Sequence, residues 1–135
     1  MLFAEIILAK TKTQITSLFD IKAAKYWDTH HVFDKEIEGR EKSLTPAFID
    51  LLIINCIVPI KFAYARFHGK ENTDELLDLM REIPMEKNTV TTVFKKLIGI
   101  TNAKESQAVL QLKPNYCDKN LCLKCDIGVQ LMSGQ

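Results

Sequence analysis

The sequence predicts an all-α protein: a single-domain irregular helical bundle around a long apolar central helix, followed by a short cysteine-rich C-terminal loop and helix. Apolar residues recur at spacings of three and four, and helix start and stop signals separate these stretches. No alternation of apolar and polar residues is long enough to indicate a strand. Because 135 residues with 47% apolar content suit one core, we expect residues 1–135 to form one domain of about six helices.

The N-terminal third is predicted to be helical, with short links between the helices. Leu2, Phe3, Ile6 and Ile7 have helical spacing, and no capping residue precedes them, so we expect the chain to begin inside a helix. Thr13 is predicted to cap a second, short helix.

Aromatic and imidazole side chains are concentrated in residues 26–33, before a charged run at 34–42 that is typical of an exposed loop. His30 and His31 are candidate ligands or proton carriers, and Trp27 is a candidate stacking platform for a surface contact. The alternative is that these rings anchor the loop to the core, which is the general habit of aromatic side chains.

The central helix is predicted to begin at Pro46 and to end near Arg66. Thr45 can cap its free amides, and proline at the first helical position sacrifices no hydrogen bond. Because the helix is apolar nearly all round, we expect it to pack on several sides. A membrane span is the rival interpretation. It is disfavoured because Asp50 and Lys61 enclose only ten uncharged residues, and a bilayer requires roughly 18 to 20.

Three other residues of this helix carry expectations of their own. Pro59 is predicted to kink the helix, because it has no N–H for the carbonyl four residues earlier. Asn55 is expected to make a buried polar contact. Cys56 is expected to be a small apolar thiol inside the core.

Start and stop signals delimit three further helices. The first ends before Pro84, and the second is the clearest amphipathic helix of the chain, closed by Gly99. Asn102 and Glu105 have the pattern of a capping box that opens the third helix, and Pro114 is predicted to bend or close it.

The strongest chemical signal is a cysteine-rich loop at residues 115–128. Cys117, Cys122 and Cys125 lie within nine residues there, and their spacing lets a loop that runs into a helix converge three sulfurs on one centre. A last helix at 121–132 is predicted to carry two of them on one face. Zinc and an iron–sulfur cluster are both compatible with this pattern, and free reduced thiols are the remaining alternative.

Because no cysteine follows Cys125, a fourth ligand must come from elsewhere in the chain, from a partner or from solvent. The candidate fourth ligands are His30, His31, His68 and Cys56, with the carboxylates Asp118 and Asp126 as neighbours. The loop is surrounded by candidate surface contacts for phosphate, namely Lys113, Lys119 and Lys124.

Several stretches together resemble a family of uncharacterised bacterial proteins known as domain of unknown function 2851. The resemblance rests on Tyr26-Trp27-Asp28-Thr29-His30, on residues 48–55 running to Pro59, on Glu86-Lys87-Asn88, and on Ser106-Gln107-Ala108 leading into Tyr116-Cys117 and Cys122. It implies that this chain is the C-terminal part of a larger, nuclease-like protein, truncated or separately encoded. The missing N-terminal part is then one expected partner, and self-association is the other.

Composition narrows the function further. A net charge of +1 removes the electrostatic argument for nucleic acid, and the N-terminus has no pattern of a secretion signal, so a cytoplasmic location is expected. We therefore expect a metal-stabilised accessory or interaction domain that is not catalytic by itself. The alternatives are an iron–sulfur module that binds nucleic acid or carries electrons, and a metal-free helical protein-interaction domain.

Overall fold

A computed structural model describes residues 2–134 of the chain. These residues are 64% helical and contain seven helices and one two-stranded sheet, which confirms the all-α prediction. The helices are α1 (Leu2–Leu8), α2 (Lys12–Leu18), α3 (Pro46–Phe67), α4 (Thr73–Glu82), α5 (Thr89–Ile98), α6 (Ala103–Leu112) and α7 (Asp126–Ser133). The strands are β1 (His30–Val32) and β2 (Lys35–Glu36), and single 3₁₀ turns cover Lys25–Asp28 and Cys122–Lys124.

The chain forms two compact units, which divide after Leu79 within α4. The first unit contains α1 to α3, the small sheet and most of α4. The second contains the end of α4 together with α5, α6 and α7. The single domain over residues 1–135 stays a prediction.

The cap of α2 is Thr11, so the prediction of Thr13 as the capping residue is wrong. The Thr11 hydroxyl accepts a hydrogen bond from the Gln14 amide at 3.3 Å, and the Gln14 side chain accepts one from the Thr11 amide at 3.2 Å. This reciprocal box needs a Glu or Gln three residues after the cap. Thr11 has Gln14 at that position, whereas Thr13 has Thr16.

Residues 30–36 form a small hairpin in a region where no strand was predicted. β1 and β2 pair antiparallel, with Val32 opposite Lys35, and Asp34 turns the chain with a φ of 59°. Strands of three and two residues are too short to show the alternation by which a sequence reveals strands.

α3 begins as predicted, but the expectation that it packs on several sides is wrong. The Thr45 hydroxyl accepts from the Phe48 amide at 3.2 Å, and Pro46 is the first helical residue. Only one side of the helix is buried: 28% of an apolar 18-residue stretch within it lies inside the structure. The buried residues are Ile49, Ile53, Ile54, Ile57, Lys61 and Ala65.

Both helix-interrupting prolines are accommodated by π-helical turns. A π turn at Ile53–Ile57 precedes Pro59, where a kink was predicted, and another at Lys113–Cys117 contains Pro114. Each turn carries an asparagine whose side-chain amide donates to the carbonyl four residues earlier. The Asn55 bond to Leu51 is 3.0 Å, and the Asn115 bond to Gln111 is 2.8 Å. Each amide thus gives the preceding turn a side-chain donor at the point where the backbone widens to π bonding. Asn55 is exposed, so the expectation of a buried contact is wrong.

Lys61 is a buried cation that binds the C-terminal end of α1. Its side chain is nearly inaccessible, and its ammonium donates to the carbonyls of Ile7 at 2.7 Å, Ala9 at 2.6 Å and Ile6 at 3.3 Å. The last carbonyls of a helix have no intrahelical donor and carry the negative end of the helix dipole. Burial lowers the pKa of Lys61, and the three carbonyls supply the contacts that a buried ammonium requires.

The second unit is organised around the segment Glu86–Asn88. Thr91, which is fully buried, donates to the Glu86 carbonyl at 2.6 Å, and the Glu86 amide donates to the buried Ser106 hydroxyl at 3.2 Å. The Glu86 carboxylate accepts from Gln107 at 2.9 Å. Thus the Glu86-Lys87-Asn88 and Ser106-Gln107 motifs, distant in sequence, meet in one polar network.

The capping signals of α5 and α6 are confirmed. Asn88 caps α5, Gly99 ends it in the left-handed conformation with a φ of 74°, and the Asn102 side chain accepts from the Glu105 amide at 3.1 Å. The predicted apolar stripe of α5 is nonetheless largely exposed, since Val93 is 50%, Leu97 70% and Ile98 53% accessible. The stripe consists of Val90, Val93, Phe94, Leu97 and Ile98. The buried residue of α5 is Thr91.

Replacing Lys61 with methionine keeps most of the apolar stem but removes the ammonium, which leaves three carbonyls at the end of α1 without their donor. We expect the free energy of unfolding to fall by about 2–3 kcal/mol, measured by urea denaturation. Amide hydrogen exchange in α1 should accelerate as well. Lys70→Met, at an exposed lysine just after α3, is the matched control and should change stability by less than about 0.5 kcal/mol. Equal effects of the two substitutions would contradict the role of Lys61.

Candidate functional site

The outward side of α3 is a long apolar surface, here called the α3 face. Its large side chains are well exposed: Phe48 is 47%, Ile60 46% and Phe67 87% accessible. The α3 face consists of Phe48, Leu51, Asn55, Cys56, Pro59, Ile60, Phe62, Ala63 and Phe67. Cys56 is therefore exposed, and the expectation that it lies inside the core is wrong because the helix turns this side outward.

Charged groups of α3 are directed away from this surface. Asp50 forms an ion pair with Lys12 of α2 at 2.7 Å, and Lys61 binds the end of α1. Within Pro46–Phe67, every residue of which the structure describes, Arg66 is the one exposed charged residue. Its guanidinium lies 5.6 Å from the centre of the Phe62 ring, a cation–π contact at the edge of the α3 face.

The sequence contained a signal for this orientation that its apolar composition obscured. Asp50 and Lys61 are about three helical turns apart and therefore lie on the same side of α3. Both are attached to neighbouring helices, so the side that carries the charges is the side that packs. Because α3 is apolar nearly all round, its apolar residues alone do not identify the buried side.

The aromatic segment forms a cluster whose members contact one another. The Tyr26 ring stacks on the His30 ring with centroids 4.0 Å apart, and Trp27 meets Phe33 edge-on at 5.1 Å. The His30 Nδ1 lies 2.9 Å from the Tyr26 carbonyl. Because Trp27 is partly covered and its ring packs on its neighbours, the rings stabilise the hairpin region, and the role of Trp27 as a stacking platform stays a prediction.

The two other imidazoles are also engaged locally. The Lys42 ammonium donates to the His30 carbonyl at 2.6 Å and lies 3.4 Å from Nδ1 of His31. His68, at the end of α3, places its Nδ1 2.9 Å from the Tyr64 carbonyl.

The three C-terminal cysteines occupy three different local structures. Cys117 ends the π turn after α6, Cys122 begins a 3₁₀ turn, and Cys125 is the residue immediately before α7. Cys117 and Cys122 are exposed, whereas Cys125 is buried. The prediction that Cys122 and Cys125 share one face of a single helix is therefore wrong, because the helix begins only at Asp126.

These cysteines are not brought together as a ligand set. Among residues 2–134, no group of three or more His, Cys, Asp or Glu side chains is placed to hold a metal ion. Lys113 pairs with Asp118 beside the turn, and Lys119 and Lys124 are exposed. Within the part of the chain that the structure describes, the cysteines thus do not form a ready metal site, and their assignment as ligands of zinc or an iron–sulfur cluster stays a prediction.

The first unit also contains an open cleft of about 560 Å³ between α2 and the start of α3. Thr13, Thr16, Ser17 and Ser43 contribute hydroxyl groups to its lining, beside the Lys12 side chain. No histidine or cysteine is among the lining residues, so the cleft offers no hydroxyl or thiol nucleophile beside an imidazole base.

Gly128 fixes the geometry of the cysteine segment. A Cβ atom at this position would overlap the carbonyl oxygen of Cys122 and would lie 3.1 Å from its Cα. The first turn of α7 thus packs directly on the backbone of the Cys122 turn, and this close approach requires glycine.

Gly128→Ala should separate α7 from the Cys122 turn, because backbone atoms cannot rotate away from the added methyl group. We expect a stability loss of about 1–3 kcal/mol. We also expect faster alkylation of the buried Cys125 thiol, followed by mass spectrometry. Gln130→Ala, at an exposed position in the same helix, should leave the alkylation rate unchanged. Unchanged alkylation of Cys125 in Gly128→Ala would show that this packing is not maintained.

Comparisons with known proteins identify a family but no activity. The family model described as "Protein of unknown function (DUF2851)" matches residues 1–89. Comparison with curated proteins and with solved structures gives no match. The matched region contains the Tyr26–His30, Phe48–Asn55 and Glu86–Asn88 stretches, whereas the cysteine segment lies beyond it. Because the match spans more than half of the 135 residues, the chain belongs to the DUF2851 family of proteins of unknown function.

Proposed function

We propose that this protein is a helical accessory or interaction domain that uses the α3 face to bind another protein. The observation that carries the proposal is a row of large apolar side chains exposed along one side of a 22-residue helix, with Arg66 as the single exposed charge. Monomeric soluble proteins rarely expose contiguous apolar patches of this kind, and such patches mark interaction sites. Phe48, Phe62 and Phe67 supply the aromatic anchors that dominate the energetics of interfaces.

A protein partner accounts for the surface better than a lipid bilayer does. By length and composition α3 is long and apolar enough to cross a membrane. Spanning hydrocarbon would place both Asp50 and Lys61 within the hydrocarbon core, one on each side of its middle, where a charge is costly. In the fold both charges are satisfied by α1 and α2, and insertion of α3 would break these contacts.

Metal binding is a separate part of this proposal. Zinc or an iron–sulfur cluster bound by Cys117, Cys122 and Cys125 would stabilise the C-terminal segment and would not be needed for the α3 face. An iron–sulfur module that binds nucleic acid or transfers electrons stays an alternative prediction. The expected location, cytoplasmic and without membrane insertion, also stays a prediction.

Site-specific photo-crosslinking tests the interaction proposal. Benzoylphenylalanine in place of Leu51, in the full chain expressed in cells, should form covalent adducts with protein. The change Phe67→Ser should strongly reduce them without lowering thermal stability, because 87% of this side chain is already accessible. The same probe at Lys96, an exposed position on α5, is the control. Adducts with lipid alone, or equal yields at Leu51 and Lys96, would overturn the proposal.

Metal analysis tests the cysteine ligands separately. If the three thiolates bind one metal ion, protein purified without oxygen should contain a stoichiometric amount of zinc or iron, and Cys122→Ser should lose it, because serine lacks the soft ligand. Cys56→Ser is the control and should retain the metal. Equal metal content in the native chain and Cys122→Ser, or no metal in either, would exclude the site.

A further inference from the structure

We propose that the α3 face binds the same face of a second copy of this chain, with the two α3 helices antiparallel and related by a two-fold axis near Asn55. This inference rests on the proposed function and names its partner. Three features of the α3 face support this pairing: the spacing of its residues, the position of the exposed charge, and the accessible area.

Five of the nine residues of the α3 face have a spacing that is symmetric about Asn55. They are Phe48, Leu51, Asn55, Pro59 and Phe62, separated by steps of three, four, four and three. A two-fold axis at Asn55 then places Phe48 opposite Phe62 of the second copy and Leu51 opposite Pro59. Aromatic residues meet aromatic residues and aliphatic residues meet aliphatic ones, which is the self-complementarity that an isologous interface requires.

The exposed charge selects the antiparallel orientation. Arg66 lies near the C-terminal end of α3, with its guanidinium over the Phe62 ring. In a parallel pair the two Arg66 side chains would be neighbours and would repel each other. In an antiparallel pair they lie at opposite ends of the interface, where solvent keeps them hydrated, and the two helix dipoles oppose each other favourably.

The available area is sufficient for a specific dimer. The aromatic side chains of the α3 face carry roughly 150–250 Å² of surface each, of which 47% in Phe48, 38% in Phe62 and 87% in Phe67 remains accessible. With the aliphatic and small residues between them, the α3 face offers on the order of 600 Å² per copy, or about 1,200 Å² for the pair. Specific interfaces begin at about 1,000 Å² in total.

Asn55 supplies the polar contact that would define the register. One N–H of its amide donates to the Leu51 carbonyl, which leaves the second N–H and the amide oxygen for the other copy. On the axis, two Asn55 amides can donate to each other, and a shifted register would bury them opposite apolar side chains. A single polar residue inside an apolar helix interface fixes register in this way.

Sedimentation equilibrium of the purified native chain tests the dimer directly. We expect a dimer at about 100 µM. Leu51→Glu should raise the dimer dissociation constant at least roughly tenfold, because it buries a carboxylate opposite Pro59 of the second copy. Thermal unfolding should show that the variant remains folded. Val93→Glu on α5, also at an exposed apolar residue, is the matched control and should leave the dimer intact.

Cys56 provides a geometric readout beside the axis. In a chain with Cys117, Cys122 and Cys125 replaced by serine, a short bis-maleimide should link Cys56 to Cys56 of the second copy. The double change Cys56→Ser and Lys96→Cys, which places the single thiol on α5, should prevent the link. If that cysteine-reduced chain does not fold, the sedimentation comparison of native chain, Leu51→Glu and Val93→Glu decides alone.

A monomeric native chain, or a dimer that Leu51→Glu leaves intact, would overturn the inference. If the native chain is monomeric while benzoylphenylalanine at Leu51 still captures protein in cells, the interaction function stands and its partner is a different protein. If the chain is monomeric and no protein is captured, the proposed function fails as well.

Discussion

The buried ammonium of Lys61 is the interaction on which the arrangement of the first unit depends. Its side chain binds the free carbonyls at the end of α1, and its own backbone carbonyl accepts a hydrogen bond from the side chain of Asn72 at 3.3 Å. One residue therefore links α1, α3 and the segment that leads into α4. Lysine is rarely buried in this way, because an unpaired ammonium in the interior is very costly. The buried ammonium is stabilised only while it contacts the end of α1, so α1 and α3 must pack against each other.

This constraint also determines which side of α3 faces solvent. Lys61 and the Asp50–Lys12 ion pair fix the rotation of the helix about its axis, and the isoleucines beside them become the interior. The remaining side, with Phe48, Leu51 and Phe67, is exposed as a consequence. An apolar surface held outward by buried charged groups is a stable feature of the fold, and it is the basis of both the interaction function and the two-fold pairing proposed above.

In the C-terminal segment, close backbone packing determines the local structure, and the cysteine side chains do not. Gly128 allows α7 to lie against the Cys122 turn, and Cys125 is buried just before the helix begins. The cysteines are close in sequence, but closeness in sequence does not ensure that their sulfur atoms converge on one point. Cys117, Cys122 and Cys125 lie in three different local structures, and among residues 2–134 they are not grouped as a ligand set.

The sequence by itself determined the features that depend on neighbouring residues. Thr45, Asn88 and Asn102 cap their helices, and Gly99 ends α5, because these interactions close within one turn of the chain. The same local rules produced the helical class of the fold. The spacing of Asp50 and Lys61 puts both charges on one side of α3, but tertiary structure alone decided that this side packs inward. It also decided that Thr91 is buried on a helix whose apolar stripe is exposed, that Glu86 meets Ser106, and that the cysteines are not grouped as a ligand set among the described residues. The physical reason is that burial depends on pairs of surfaces distant in sequence, and the contact between Lys61 and the end of α1 joins a charge to backbone carbonyls, which no residue pattern identifies.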